Sequence, residues 1–128
     1  MLCGPTKTDQ PMWLFQERDY IMQRIASVIK AKPARYALYK KLHANVWPGV
    51  LKTIKQCHIR NYSIFYRDGL LFSYYEYTGK DHDADMQKMA ADPLTRKWWS
   101  VCRPCLQPLK TVPKGEWSAM MEEIFRLD

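Results

Sequence analysis

The dipeptide Asp68-Gly69, set between two runs rich in Tyr, Phe, Ile and Leu, constrains the fold of this chain more than any other feature. Asp-Gly supplies the two positive φ angles of a tight hairpin turn, so residues 61–67 and 70–77 are expected to pair as antiparallel strands. Both parities of the hairpin are apolar or aromatic. Tyr62, Ile64 and Tyr66 alternate with Phe65, and Phe72 and Tyr74 alternate with Leu71, Tyr75 and Tyr77. A sheet apolar on both faces needs two covers. Helices supply one; the other would be a nucleic-acid strand, a ligand or the same sheet of a second copy.

Elements on either side complete the arrangement. Residues 20–30 are apolar and β-branched enough for a strand, and Pro33 suits the first turn of a helix that continues over residues 34–42. Helical spacing resumes over residues 46–57, with Trp47 and Pro48 marking a bend or restart. Residues 81–91 read as a helix, Pro93 opens another, Pro104, Pro108 and Pro113 punctuate a loop, and a last strand is expected over residues 120–127. The order βαββαβ predicts an α+β, ferredoxin-like fold: a four-stranded antiparallel sheet with helices on one face. A chain of 128 residues holds one domain, here 21–128, preceded by an N-terminal extension, 1–20, whose Met12, Trp13, Leu14 and Phe15 are expected to dock somewhere.

The formal charge of +7 raises the question of phosphate. Its Lys and Arg residues are scattered in ones and twos rather than gathered into an arm, which favours a generally basic surface over a nucleic-acid partner. No apolar run reaches the length of a membrane span, and residues 1–20 mix Lys7, Asp9, Glu17 and Arg18 among their hydrophobics, unlike a signal peptide. Cys3, Cys57, Cys102 and Cys105 are therefore expected as free thiols in the cytoplasm. The CxxC of Cys102 and Cys105 has no second ligand pair for zinc, and it follows a helix rather than opening one, so it reads as incidental.

Chemistry concentrates in one short stretch. Tyr39 and His43 lie four residues apart, one helical turn, and so share a face. Asn45 and Trp47 fall at the helix break, and a tryptophan pair, Trp98 and Trp99, stands far downstream. Adjacent helical residues diverge by about 100°, so one tryptophan would line a pocket while its neighbour packs in the core.

Four blocks in order, Tyr39 to Pro48, Asn61 to Phe65, Arg96 to Trp99 and Glu123 to Leu127, make the chain from about Gln23 onward resemble the L-rhamnose mutarotases, small dimeric α/β-barrel proteins of ferredoxin-like type. The resemblance implies interconversion of the α and β anomers of L-rhamnose or a related deoxysugar, a homodimer, and no metal or organic cofactor. It implies His43 as the proton donor with Tyr39 beside it, and Tyr62, Trp98 and Trp99 around the sugar. The chemistry agrees, because mutarotation takes a proton from the anomeric hydroxyl and delivers one to the ring oxygen, a task suited to an imidazole. Gly49 follows Pro48 where bacterial relatives carry an acid. Two other readings stay open. One is an RNA-recognition-like module using the sheet aromatics, against which residues 70–77 lack the glycines of the usual RNA-binding strand. The other is a non-catalytic dimeric barrel.

Overall fold

The computed structural model describes residues 22–128. The expected N-terminal extension, the docking of Met12 to Phe15, and Cys3 lie outside the described residues.

Strand β1 is Gln23–Ala31, and a 3-10 turn at Pro33–Arg35 leads into α1, Tyr36–His43. Helix α2, Pro48–Gln56, restarts the chain with proline at its first turn, where no amide is needed. Strands β2, Ile59–Arg67, and β3, Leu70–Tyr77, form the hairpin, and Asp68 and Gly69 take φ of 50° and 83° as its turn demands. Helices α3, His82–Ala91, and α4, Pro93–Cys102, follow. Aspartates cap both: Asp81 accepts from the Ala84 amide at 3.1 Å and Asp92 from the Thr95 amide at 2.9 Å. Asp92 also accepts from the Thr95 hydroxyl, and more distantly from Thr53 on α2, so one carboxylate ties α2 to α4.

The sheet runs β2-β3-β1 and then a fourth position shared by two short strands, β4, Leu106–Gln107, and β5, Ala119–Met121, both antiparallel to β1. This is the expected ferredoxin-like order. The last strand is shorter than expected: its ladder covers Ala119–Met121, and residues 122–128 are not strand. In the observed register Ala26 faces Met121, so Ile124 would fall opposite Gln23, the first residue of β1, and the chain beyond has no β1 residue to pair with. Arg24 instead holds Glu123 through a side-chain ion pair at 3.2 Å.

The helices cover one sheet face, where Ile29, Ala31 and Leu71 pack with Tyr39, Val50 and Trp98. Full burial of Val50 alone contributes about 1.5–3 kcal/mol. On the opposite face Val28, Phe72 and Phe65 form one cross-strand row, and Met121, Ala26, Tyr74 and Ser63 form the next.

A β-bulge adjusts β2. Arg60 pairs with Glu76 and Ser63 with Tyr74, so Asn61 and Tyr62 together oppose Tyr75. Asn61 adopts φ of 50°, which its short polar side chain tolerates. Ile59 and Tyr62 are three residues apart and would face opposite ways on a regular strand. The extra residue puts both on the helix side.

At the far end of β3 a buried polar cluster anchors α3. The hydroxyl of Tyr77, which is fully buried, donates to Asp85 at 2.5 Å and accepts from the Asp81 amide at 3.0 Å, and His58 Nδ1 lies 2.9 Å from the same carboxylate. Gly79 sits so close that a Cβ there would collide with the Tyr77 hydroxyl. Tyr77 and then His58 hold the Asp85 carboxyl below its ordinary 3.8, so this stabilisation is present above that pH and lost as pH falls through the depressed value. Tyr77→Phe is expected to cost about 1–3 kcal/mol at pH 7, read as a lowered urea midpoint. The gap from the wild-type protein should narrow at pH values where Asp85 is protonated, leaving the share owed to the Asp81 amide.

Candidate functional site

Tyr36, Tyr39 and His43 recur at three- and four-residue spacing, so α1 aims all three at the space between the helices and the inner sheet face. That space is a cavity of about 990 Å³, at the upper end for small-molecule sites. Its walls come from α1, α2, α4, β2, β3 and Met86 and Met89 of α3.

His43 ends α1 with its ring 4.1 Å from that of Tyr39 and edge-on to Trp98 at 5.4 Å. Its Nδ1 stands 2.9 Å from the Tyr39 carbonyl oxygen, four residues back. A carbonyl only accepts, so Nδ1 carries the hydrogen, and in the neutral ring Nε2 holds the lone pair. Burial lowers the His43 pKa, against a smaller upward pull from that carbonyl, and the ring is neutral at pH 7. Burial likewise pushes the Tyr39 phenol far above its ordinary range, with Tyr62 adding to the effect, so it stays protonated.

Tyr62 is 46% exposed, but the bulge turns it to the helix side, where it lines the cavity. Burial raises its pKa, opposed by a hydrogen bond with Ser73. Its ring lies 5.6 Å from that of Tyr75, whose own pKa burial pushes up to about 12.

Both tryptophans line the cavity. Trp98 is buried and meets Trp47 edge-on at 5.1 Å as well as His43. Trp99 is half-buried and spans two packed clusters, with the Arg103 guanidinium 4.9 Å from its ring and 5.3 Å from that of Trp117. Trp47 thus supports the site wall through Trp98 besides shaping the helix break, whereas Asn45 is exposed.

The structure therefore brings His43, Tyr39, Tyr62, Trp98 and Trp99 to one cavity. Tyr75 was not singled out by the sequence, although it shares parity with the buried Leu71 and Tyr77. Nor was Tyr36, stacked on Tyr66 at 3.7 Å. Cys57, Cys102 and Cys105 are free and buried, and burial pushes the Cys102 thiol up to about 11, far from a reactive thiolate. No helix among the described residues is long and apolar enough to cross a membrane.

Comparison with known proteins converges. The family model for L-rhamnose mutarotase matches residues 24–127. The L-rhamnose mutarotase of Listeria monocytogenes serotype 4b is 32% identical over 109 residues, covering 83% of this chain and 99% of that protein. That of Bacillus subtilis is 28% identical over 112 residues, covering 84% and 100%. Among solved structures, the L-rhamnose mutarotase of Formosa agariphila superposes with a TM-score of 0.66 at 24% identity over 83% of this chain and 99% of that one. Tetracenomycin F2 cyclase of Streptomyces glaucescens, a polyketide cyclase, shares the fold with a TM-score of 0.62 at 14% identity, covering 83% and 97%.

Nitrogen-15 spectra of the histidine rings test the local electrostatics. His43 is expected as the Nδ1–H tautomer at pH 7, titrating below the ordinary 6.5. An Nε2–H tautomer, or a pKa above 6.5, would contradict the assignment.

Proposed function

The chain belongs to the L-rhamnose mutarotase family, and from that premise we propose that it interconverts the α and β anomers of L-rhamnose, with His43 as the residue that moves the proton. The observation that carries this role is the bond from His43 Nδ1 to the Tyr39 carbonyl, which leaves Nε2 basic on the wall of a cavity shared with two tryptophans. Nε2 takes the proton of the anomeric hydroxyl as the bond from C1 to the ring oxygen breaks and the aldehyde forms. The imidazolium then donates that proton to the former ring oxygen. After rotation about C1 to C2, the hydroxyl attacks the other face of C1, and the proton returns by the same path. One proton makes the circuit, so none is gained or lost.

Tyr39, held protonated by burial, donates a hydrogen bond to sugar oxygen beside His43 and stabilises charge as it develops. Trp98 and Trp99 offer aromatic surface to the C–H face of the ring and to its methyl group, and Tyr62 contributes a hydroxyl. Positioned acid–base transfer is worth roughly 10² to 10⁴ in rate, enough for a reaction that proceeds unaided in water.

The working unit is a homodimer in the cytoplasm. Support comes from the outer sheet face, where Phe65 and Met121 are 62% and 45% exposed, and from the tail, where Ile124, Phe125 and Leu127 are all at least 79% exposed. Apolar surface of that extent favours a second copy as its cover. The free, buried thiols suit a reducing compartment.

Saturation of the α-anomeric proton of L-rhamnose should transfer to the β signal with catalytic amounts of protein. In His43→Ala that transfer should fall by about 10²- to 10⁴-fold. An unchanged rate in the variant would remove His43 from the mechanism, and absence of transfer with the wild-type protein would remove the activity. Sedimentation at micromolar concentration should show a dimer, which Met121→Asp shifts toward monomer; a wild-type monomer would rule out the barrel.

A further inference from the structure

The cavity carries a further phenol besides those grouped with His43. Tyr75 lines the cavity beside Ile54, Met86 and Met89, in a packing cluster distinct from the one that holds Tyr39 and Trp98. Behind Tyr75, outside the cavity wall, stands His82 at the start of α3, with its Nε2 2.7 Å from the Tyr75 hydroxyl and the two rings nearly parallel. Tyr77 packs edge-on against the same imidazole at 5.0 Å.

The direction of that hydrogen bond follows from the two groups that make it. A phenol O–H is a stronger hydrogen-bond donor than an imidazole N–H, and an imidazole lone pair a stronger acceptor than a phenol oxygen, so the bond runs from Tyr75 to Nε2; the Asp83 carboxylate oxygen, 3.9 Å from Nδ1 and beyond hydrogen-bond reach, adds only a weak preference for the ring hydrogen on Nδ1. Tyr75 is then the donor, and its single hydrogen is committed to His82, away from the cavity. What its oxygen offers the cavity is lone pairs.

Resting on the mutarotase reading above, we propose that Tyr75 is a sugar-binding residue that accepts a hydrogen bond from a ring hydroxyl away from the anomeric carbon, and that His82 is the positioning residue that fixes Tyr75 in this accepting role. The chain sugar O–H to Tyr75 O–H to His82 Nε2 is cooperative, since each bond polarises the next. It also discriminates. A sugar lacking that hydroxyl leaves the Tyr75 oxygen without a donor, the kind of loss that separates substrates better than a missing methylene does. Tyr62, 5.6 Å away ring to ring, lies close enough for both phenols to reach neighbouring hydroxyls of one sugar.

The test uses anomer exchange by the full-length protein, with kcat and KM measured for L-rhamnose and for its 3-deoxy and 4-deoxy analogues. Tyr75→Phe and His82→Leu should each raise KM for L-rhamnose about three- to tenfold, the worth of one neutral hydrogen bond, with kcat within about twofold of wild type. His82→Gln, whose amide oxygen still accepts from Tyr75, should recover most of the affinity lost in His82→Leu. One deoxy analogue should lose about the same factor in the wild-type protein and nothing further in Tyr75→Phe. If L-rhamnose is exchanged normally and KM is unmoved in Tyr75→Phe and His82→Leu, the proposal is wrong while the mutarotase reading stands. If His82→Gln is as impaired as His82→Leu, His82 has only a structural role. If the wild-type protein exchanges no sugar, both readings fall together.

Discussion

Trp98 is the contact on which the rest of the site depends. Its buried indole meets His43 at the end of α1 and Trp47 at the start of α2, and its own helix is tied to α2 through the Asp92 cap. Three helices thereby meet around one ring. The break between α1 and α2 leaves His43 on the last turn, where its Nδ1 finds the Tyr39 carbonyl and its other nitrogen stays free for chemistry. A continuous helix through residues 44–47 would carry Trp47 past this point and remove its edge-on contact with Trp98.

Polar groups are handled differently at the two ends of the inner sheet face. Around Tyr77, Asp85 and His58 every group finds a partner within the protein, and the carboxylate is held ionised: a cluster built for stability. Around His43, Tyr39 and Tyr62 burial dominates and moves the ionisation of each group toward the neutral form. Neutral groups with unspent hydrogen-bonding capacity are what a polyhydroxylated, uncharged ligand requires. Two clusters of similar composition, both holding tyrosine and histidine, thus differ in how their hydrogen-bonding capacity is spent.

Much of this was legible in the chain. Asp68-Gly69 announced the hairpin because only certain residues accept two successive positive φ angles, and the observed turn has them. The prolines at 33, 48 and 93 fell at helix starts because a helix's first turn is where a missing amide does no harm. The spacing of Tyr39 and His43 placed both on one face. The last strand is shorter than its composition suggests: residues 122–128 have strand-like composition, but composition does not say whether a neighbouring strand extends far enough to pair with them.

Local periodicity and turn chemistry thus determined the elements, their order and the His43 end of the cavity, since each depends on residues within a few positions of one another. The tertiary structure alone decided the inward aim of Tyr62, through a bulge whose register is set by β3, and the pairing of Tyr75 with His82 across the link from strand to helix. It also decided the splitting of the fourth sheet position between two short strands. Those outcomes depend on which partner lies opposite, and the partner's position is set only once the whole sheet has closed beneath its helices.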